Sequence, residues 1–200
     1  MADMDLVRLA LAAYPQTVTL NDETEVELRP ASTADRDDIL AFSNGLDEQD
    51  LLFLRVDITN PDVVTNWLRN VEQGETVTLL GWQDDRVVGY GTVDTNSAQW
   101  TRRVGEIRVN VAPQLRSKGL GRHLIGKAFD LARRIGLKKL MAHMTPNQQG
   151  AQAAFSRLGF RHEALLADYV EDRDGAVHDL TIMSYDVDGL SGQVDSPLRV

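Results

Sequence analysis

The stretch that most limits what this chain can fold into is a strand, a basic glycine-containing loop and a helix in immediate succession. Val104 to Val111 alternates Ile107, Val109 and Val111 with Glu106, Arg108 and Asn110, which is the period-two pattern of a strand, and Pro113 ends it. Leu120 to Ile135 places apolar residues at 120, 124, 125, 128, 129, 131, 132 and 135, one face of an amphipathic helix closed by Gly136. Between the two lies Gln114-Leu115-Arg116-Ser117-Lys118-Gly119-Leu120-Gly121. The first turn of a helix carries unpaired N–H groups and the positive end of the dipole. Glycines let main chain approach a ligand closely, so such a loop can cradle a phosphate. Arg116 and Lys118 add charge, and Arg122 extends it. The same two glycines would also serve a tight strand-to-helix turn with no ligand. The loop is neither a Walker A sequence nor a dinucleotide fingerprint, since it lacks the Gly-Lys-Ser/Thr ending of one and the third glycine of the other.

Charge sharpens the choice. The whole chain carries −9, which disfavours general nucleic-acid binding. Yet Arg102 to Leu140 holds eleven Lys/Arg against only Glu106 and Asp130, so the acidic protein has one strongly basic block centred on the loop. A polyphosphate ligand or a solvated face would each account for it. The chain has no cysteine, which excludes disulfides, thiol catalysis and thiolate metal sites. Its four histidines, 123, 143, 162 and 178, have no metal-ligand spacing, and no metal is expected. His143, on a strand pattern, reads as a buried core histidine, and Trp67, Trp82 and Trp100 read as core or pocket wall. The acidic start and the lack of any long apolar run give neither a signal peptide nor a membrane span, so a cytoplasmic protein is expected.

The pattern over all 200 residues fits one mixed α/β domain. A short helix pattern from Asp3 to Tyr14 precedes a strand at Val26 to Arg29. Ser32 or Thr33 caps a helix to Asn44, and Pro61 opens another to Val71. Glu75 to Trp82 and Arg86 to Thr95 form a hairpin around Gln83-Asp84-Asp85. After the central helix come a strand from Leu137 to Met144 and a helix from Asn147 to Leu158. Strands at Arg161 to Tyr169 and Val177 to Tyr185 follow, joined by a turn at Asp172 to Gly175. The expected organisation is an N-terminal helical extension over 1–20, the main domain over 21–186 and a loose tail over 187–200.

With these elements in place, the sequence resembles the GNAT superfamily of N-acetyltransferases. Arg116-x-x-Gly119-x-Gly121 matches the family signature Gln/Arg-x-x-Gly-x-Gly/Ala, and Glu106 to Pro113 looks like the strand before it. Asn147, Ala151, Ala154 and Phe155-Ser156-Arg157-Leu158-Gly159-Phe160 look like the family's later Asn…Tyr-x-Lys-Leu-Gly-Phe segment. The resemblance covers roughly 160 residues. It implies a single GNAT-like domain: a central, mostly antiparallel, twisted sheet of about seven strands, splayed between strands 4 and 5 and flanked by helices. It implies acetyl-CoA as co-substrate, with pyrophosphate on Arg116, Ser117, Lys118, Gly119, Leu120, Gly121 and Arg122. The pantetheine arm would run along the main chain of Val109, Asn110 and Val111, with the Val111 N–H facing the thioester oxygen as an oxyanion donor. Asn147 would contact pantetheine while also serving as helix N-cap.

N-acyl transfer needs a deprotonated amine, and a lysine-type amine has a pKa of about 10.4. A base is therefore required, and Glu106, on the strand beside the presumed cofactor, is the candidate. Its alternative role is an ion pair with Arg103 or Arg108. The family's usual acid is a tyrosine, and the matching position here is Phe155, which has no proton to give and would pack against cofactor or core. Tyr169 and Tyr185 are the aromatic alternatives. The acceptor is expected to be an amine, either a small molecule or a protein lysine. Leu28-Arg29-Pro30 and the Gly45-Leu46 loop are loosely similar to bacterial protein-lysine acetyltransferase domains. Acids at 47, 48, 50, 57 and 62 would attract a cation or simply be solvated. A homodimer is possible by analogy. A non-catalytic acyl-CoA-binding regulatory module of the same fold is the alternative that Phe155 favours, and an unrelated phosphate-binding domain is a third.

Overall fold

The computed structural model describes residues 4–187 except 52, 53, 55 and 97, with only the backbone of 48 and 49. The chain opens with helix α1 (Met4–Leu11), strands β1 (Gln16–Thr19) and β2 (Glu25–Pro30), and helices α2 (Arg36–Asn44), α3 (Glu48–Leu51) and α4 (Pro61–Glu72). Strands β3 (Thr76–Gln83), β4 (Arg86–Thr95) and β5 (Val104–Val111) follow, then helix α5 (Leu120–Arg134). Strand β6 (Lys139–Met144), helix α6 (Gln149–Arg157) and strands β7 (Arg161–Glu171) and β8 (Val177–Asp186) complete it. No helix among the described residues is long and apolar enough to cross a membrane.

Local chemistry explains most boundaries. Asn60 caps α4 by accepting the Asp62 N–H at 2.9 Å, and Pro61 takes the first position, where no N–H is needed. Ser32 opens a 3₁₀ turn (Thr33–Asp35) that leads into α2, with Asp35 Oδ2 accepting the Ser32 N–H at 2.7 Å. Asp84 and Asp85 both have positive φ, 47° and 60°, the twist a two-residue hairpin requires.

The eight strands form one sheet in the order β1-β2-β3-β4-β5-β6-β8-β7. Every neighbouring pair is antiparallel except β5 and β6, which α5 connects as a parallel crossover. The count is eight rather than about seven because Gln16–Thr19, not among the strands expected from the sequence, pairs with β2. The family's fourth and fifth strands are therefore β5 and β6. They pair only at Val104↔Lys139, Gly105↔Leu140 and Glu106↔Met141. Beyond Glu106, β5 continues to Val111 against β4 alone, so the sheet splays there.

Alternate residues of β4 divide the molecule into layers. A Cβ on Gly91 would lie 3.2 Å from the Leu124 carbonyl oxygen, so α5 packs directly on this face and only glycine leaves it room. Tyr90 faces the other way, its ring edge-on to Phe42 of α2 at 6.1 Å and Trp67 of α4 at 5.0 Å. Leu120, Leu124 and Leu131 of α5 are fully buried. Each stabilises the fold by about 1.5–3 kcal/mol through burial.

Three expectations change. The helix after β6 begins at Gln149, with Gln148 as N-cap, so Asn147 is not the cap. Gln148 Oε1 instead accepts the Thr145 N–H at 3.0 Å, and this closes the turn ahead of the helix. His143 is exposed rather than buried, because it points to the face that α5 does not cover. Trp100 is 92% exposed and is neither core nor wall. Of the expected C-terminal tail, only Val187 lies within the described residues.

Candidate active site

The site grows out of the splay. The Ala112 N–H donates to Val88 O, so the main-chain groups of even-numbered residues at this end of β5 face β4. Strand alternation turns the N–H and C=O of Val109 and Val111 the other way, into the gap where β6 has diverged. Asn110 faces β4 with its own backbone and pairs with Tyr90. Its side chain is turned to the opposite use: Oδ1 accepts the Val111 N–H at 2.9 Å. The donor expected to face a thioester oxygen is thus held by a neighbouring amide.

The loop after β5 curls through two left-handed residues, Ser117 (φ 60°) and Gly119 (φ 102°), before α5 starts. Gly119 is the N-cap of α5 and has no side chain to cap it. The first-turn N–H groups of Leu120, Gly121 and Arg122 therefore have no intrahelical carbonyl and no capping side chain. Successive main-chain N–H groups in such a curl form an anion-binding concavity. Arg116 pairs with Asp50 of α3, and its Nε donates to Val111 O at 3.3 Å. Lys118 Nζ lies 2.9 Å from Asp22 Oδ2. The hydrogen bond from Lys118 is the main reason the Asp22 carboxyl is pulled down to about 2. Carboxylates thus sit where these cations would meet phosphate oxygens, and an uncapped helix start with two cations fits a pyrophosphate.

On the α2/α4 face of the sheet, beside the splay, lies a cavity of about 750 Å³. Glu106, Arg108 and Asp94 line its floor, Met141 and His143 one wall, and Trp67 of α4 the opposite side. Glu106 and Asp94 are directly opposed across the β4–β5 ladder. Two like charges so placed repel, and Arg108 offsets this by pairing with Asp94, which also accepts the Thr76 hydroxyl at 2.7 Å. The Glu106 side chain is 15% exposed, and His143 Nδ1 lies 3.6 Å from its Oε2. Tyr90 is buried beneath the floor, and burial raises its phenol above the usual range against the pull of Arg108 and Asn110.

The structure thus gathers Glu106, Val109, Asn110, Val111 and the loop 116–122 around one end of the splay. Asn147 is exposed in the turn that leads into α6. Phe155 is buried, with its ring 4.9 Å from Phe160 in an edge contact, so of its two expected surroundings it has the core. Tyr185 packs on Phe129 and Tyr169 is exposed on β7, and neither lines the cavity. The loop acids Asp50 and Asp57 are engaged by Arg116 and Arg173. The cavity's acids are instead Glu75, Asp94 and Glu106. Asp94, Arg108 and His143 were not singled out from sequence as members of one site. Strand parity hints at them, but their meeting depends on which strands pair. Among the described residues no group of three or more His, Asp or Glu could hold a metal.

Comparison with known proteins fits this architecture. No curated protein matches the chain. Among solved structures, yncA from Salmonella typhimurium with its cofactor acetyl-CoA is 22% identical, with a TM-score of 0.71 over 88% of this chain and 99% of that one. The GNAT domain of S. lividans PAT is 15% identical, TM-score 0.71, over 86% and 96%. The ribosomal-protein-alanine N-acetyltransferase from Brucella melitensis is 22% identical, TM-score 0.71, over 80% and 98%. At these identities the likeness is one of fold. Residues 46–160 match the model of the acetyltransferase (GNAT) family, which takes in the splay, the loop and most of the cavity, and the chain belongs to that family.

Proposed function

We propose that this protein is an acetyl-CoA-dependent N-acetyltransferase acting on a primary amine by direct attack in a ternary complex. The observation that carries the reading is the placement of Glu106 at the last β5–β6 rung. There it faces a cavity on one side of the sheet while the uncapped start of α5 lies beyond the strand's other end. Acetyl-CoA supplies the acyl group as an activated thioester. Arg116, Lys118 and the first-turn N–H groups of α5 hold the pyrophosphate, with Arg116 and Lys118 exchanging Asp50 and Asp22 for phosphate oxygens. Val109 and Val111 offer main-chain groups to the pantetheine arm. For the Val111 N–H to serve the thioester oxygen, Asn110 must release it.

Glu106 takes the proton from the amine. It is only 15% exposed, so little water competes for it, yet it opens on the cavity where an acceptor enters. Asp94 does not take this role because Arg108 and Thr76 already occupy its oxygens. The cavity holds more acid than base, which favours a cationic acceptor. That suits a small amine or a lysine side chain alike. Residues 21–186 form the catalytic unit in this reading.

The test is thiol release from acetyl-CoA with a panel of small amines and lysine peptides, beside acetyl-CoA binding by calorimetry. Binding and amine-dependent thiol release are expected. Binding without release for any amine would favour the regulatory alternative that Phe155 raises. Loss of neither in Glu106→Gln would remove the base assignment.

A further inference from the structure

Acetylating an ammonium group leaves one proton over. The N–C bond forms, the C–S bond breaks, the amide keeps one of the three nitrogen protons and the released thiol takes another. The third must reach solvent. Glu106 accepts it in the reading above, but a half-buried carboxylate must be emptied before the next turnover.

We infer that His143 is the outlet: it relays the proton from Glu106 to water and acts through Glu106 rather than on the substrate. The inference rests on the proposed role of Glu106 and goes beyond it. Three observations carry it. First, Met141 is the last partner of Glu106, and His143 is the next residue of β6 on the same face, so it stands where the strands have parted and a side chain can enter the gap. Second, its Nδ1 lies 3.6 Å from Glu106 Oε2, just beyond direct hydrogen bonding, so one water or a small rotation closes the path. Third, exposure rises along the pair, from 15% at Glu106 to 35% at His143, which gives the path a wet end.

The other titratable and charged groups lining the cavity are poorly placed for this task. Asp94 on β4 is tied to Arg108 and Thr76. Arg108 on β5 cannot give up its proton. Tyr90 is buried with its phenol raised, and Glu75 lies just ahead of β3, at the Thr76↔Asp94 end of the ladder. Imidazole alone among them both accepts and donates near neutral pH. The step is balanced: the Glu106 carboxylic acid returns to carboxylate, neutral His143 becomes imidazolium, and imidazolium returns its proton to water.

The experiment compares His143→Gln and His143→Ala with the parent protein and with Glu106→Gln. Gln keeps a hydrogen-bonding side chain but cannot carry a proton. Both His143 variants are expected to lose about tenfold or more in kcat, with the acceptor KM within about twofold. The loss should shrink toward low pH, where a protonated imidazole cannot accept from Glu106, and added imidazole should restore much of it in His143→Ala. Full kcat in His143→Gln across pH 6–9 would overturn the relay, as would failure of added imidazole to restore any of the loss in His143→Ala. If Glu106→Gln itself keeps full turnover, the base assignment fails instead, so the two failures are separable. Unchanged thermal melting of each variant guards against loss of fold.

Discussion

Single residues set the site's chemistry through their immediate partners. Arg116 and Lys118 are both partly exposed and both paired with carboxylates. Replacing either with alanine should weaken acetyl-CoA binding by about tenfold, roughly 1.4 kcal/mol, as read by calorimetry. The pairing also has a pH signature. The Asp22 carboxyl is pulled down to about 2, so it holds its proton less tightly folded than unfolded. Its stabilising contribution is present above the unfolded value near pH 4 and is lost as pH falls through the folded value near 2. Asp22→Asn should therefore flatten the loss of stability between about pH 4 and 2, measured as the urea midpoint against pH, while changing it little at pH 7. At full exposure the effect is small and should shrink further in high salt. Glu106, the loop cations and Phe155 could all be read from sequence because each falls in a motif with fixed spacing. The cap at Asn147 could not, because Gln148 and Gln152 close that turn with long side chains, and propensity does not foresee this.

Elements determine how closely those residues meet. Helix α5 lies so near β4 that Gly91 has no room for a side chain. Gly91→Ala should press Leu124 outward and destabilise the fold by about 1–3 kcal/mol in chemical unfolding, displacing the helix start with it. Gly119 is held at φ 102°, and a Cβ there would lie 3.3 Å from the Asn21 side chain. Gly119→Ala should cost about 1–2 kcal/mol for the left-handed backbone and weaken acetyl-CoA binding beyond what the stability loss explains. The pattern of β2 through β8 and of α4 and α5 was legible because each element shows its own periodicity and its own stop, such as Pro61, Gly136 or Gly175. Strand β1 was not. Its Thr17-Val18-Thr19 alternation is too short to mark a strand before the pairing with β2 is known.

Over the whole molecule, charge is segregated. The basic block falls on β5, the loop and α5, while the cavity across the sheet carries Glu75, Asp94 and Glu106 against Arg108. In the proposed reaction an anionic cofactor and a cationic acceptor would approach fields of opposite sign from different sides. Raising ionic strength from 0.05 to 0.5 M should raise the KM for acetyl-CoA severalfold and that of a cationic amine as well, while a neutral amine is less affected, in steady-state kinetics. The sequence by itself determined most of the element order, the basic glycine loop ahead of α5 and the acid on the strand before it. Those are local matters, decided by periodicity, glycine placement and charge within a few residues. Only the tertiary structure decided that β5 and β6 part after Glu106, that Arg108 silences Asp94, and that His143 stands exposed 3.6 Å from Glu106. Each of these depends on register between strands far apart in the chain, and register is fixed by packing across the sheet, where no single segment carries the information.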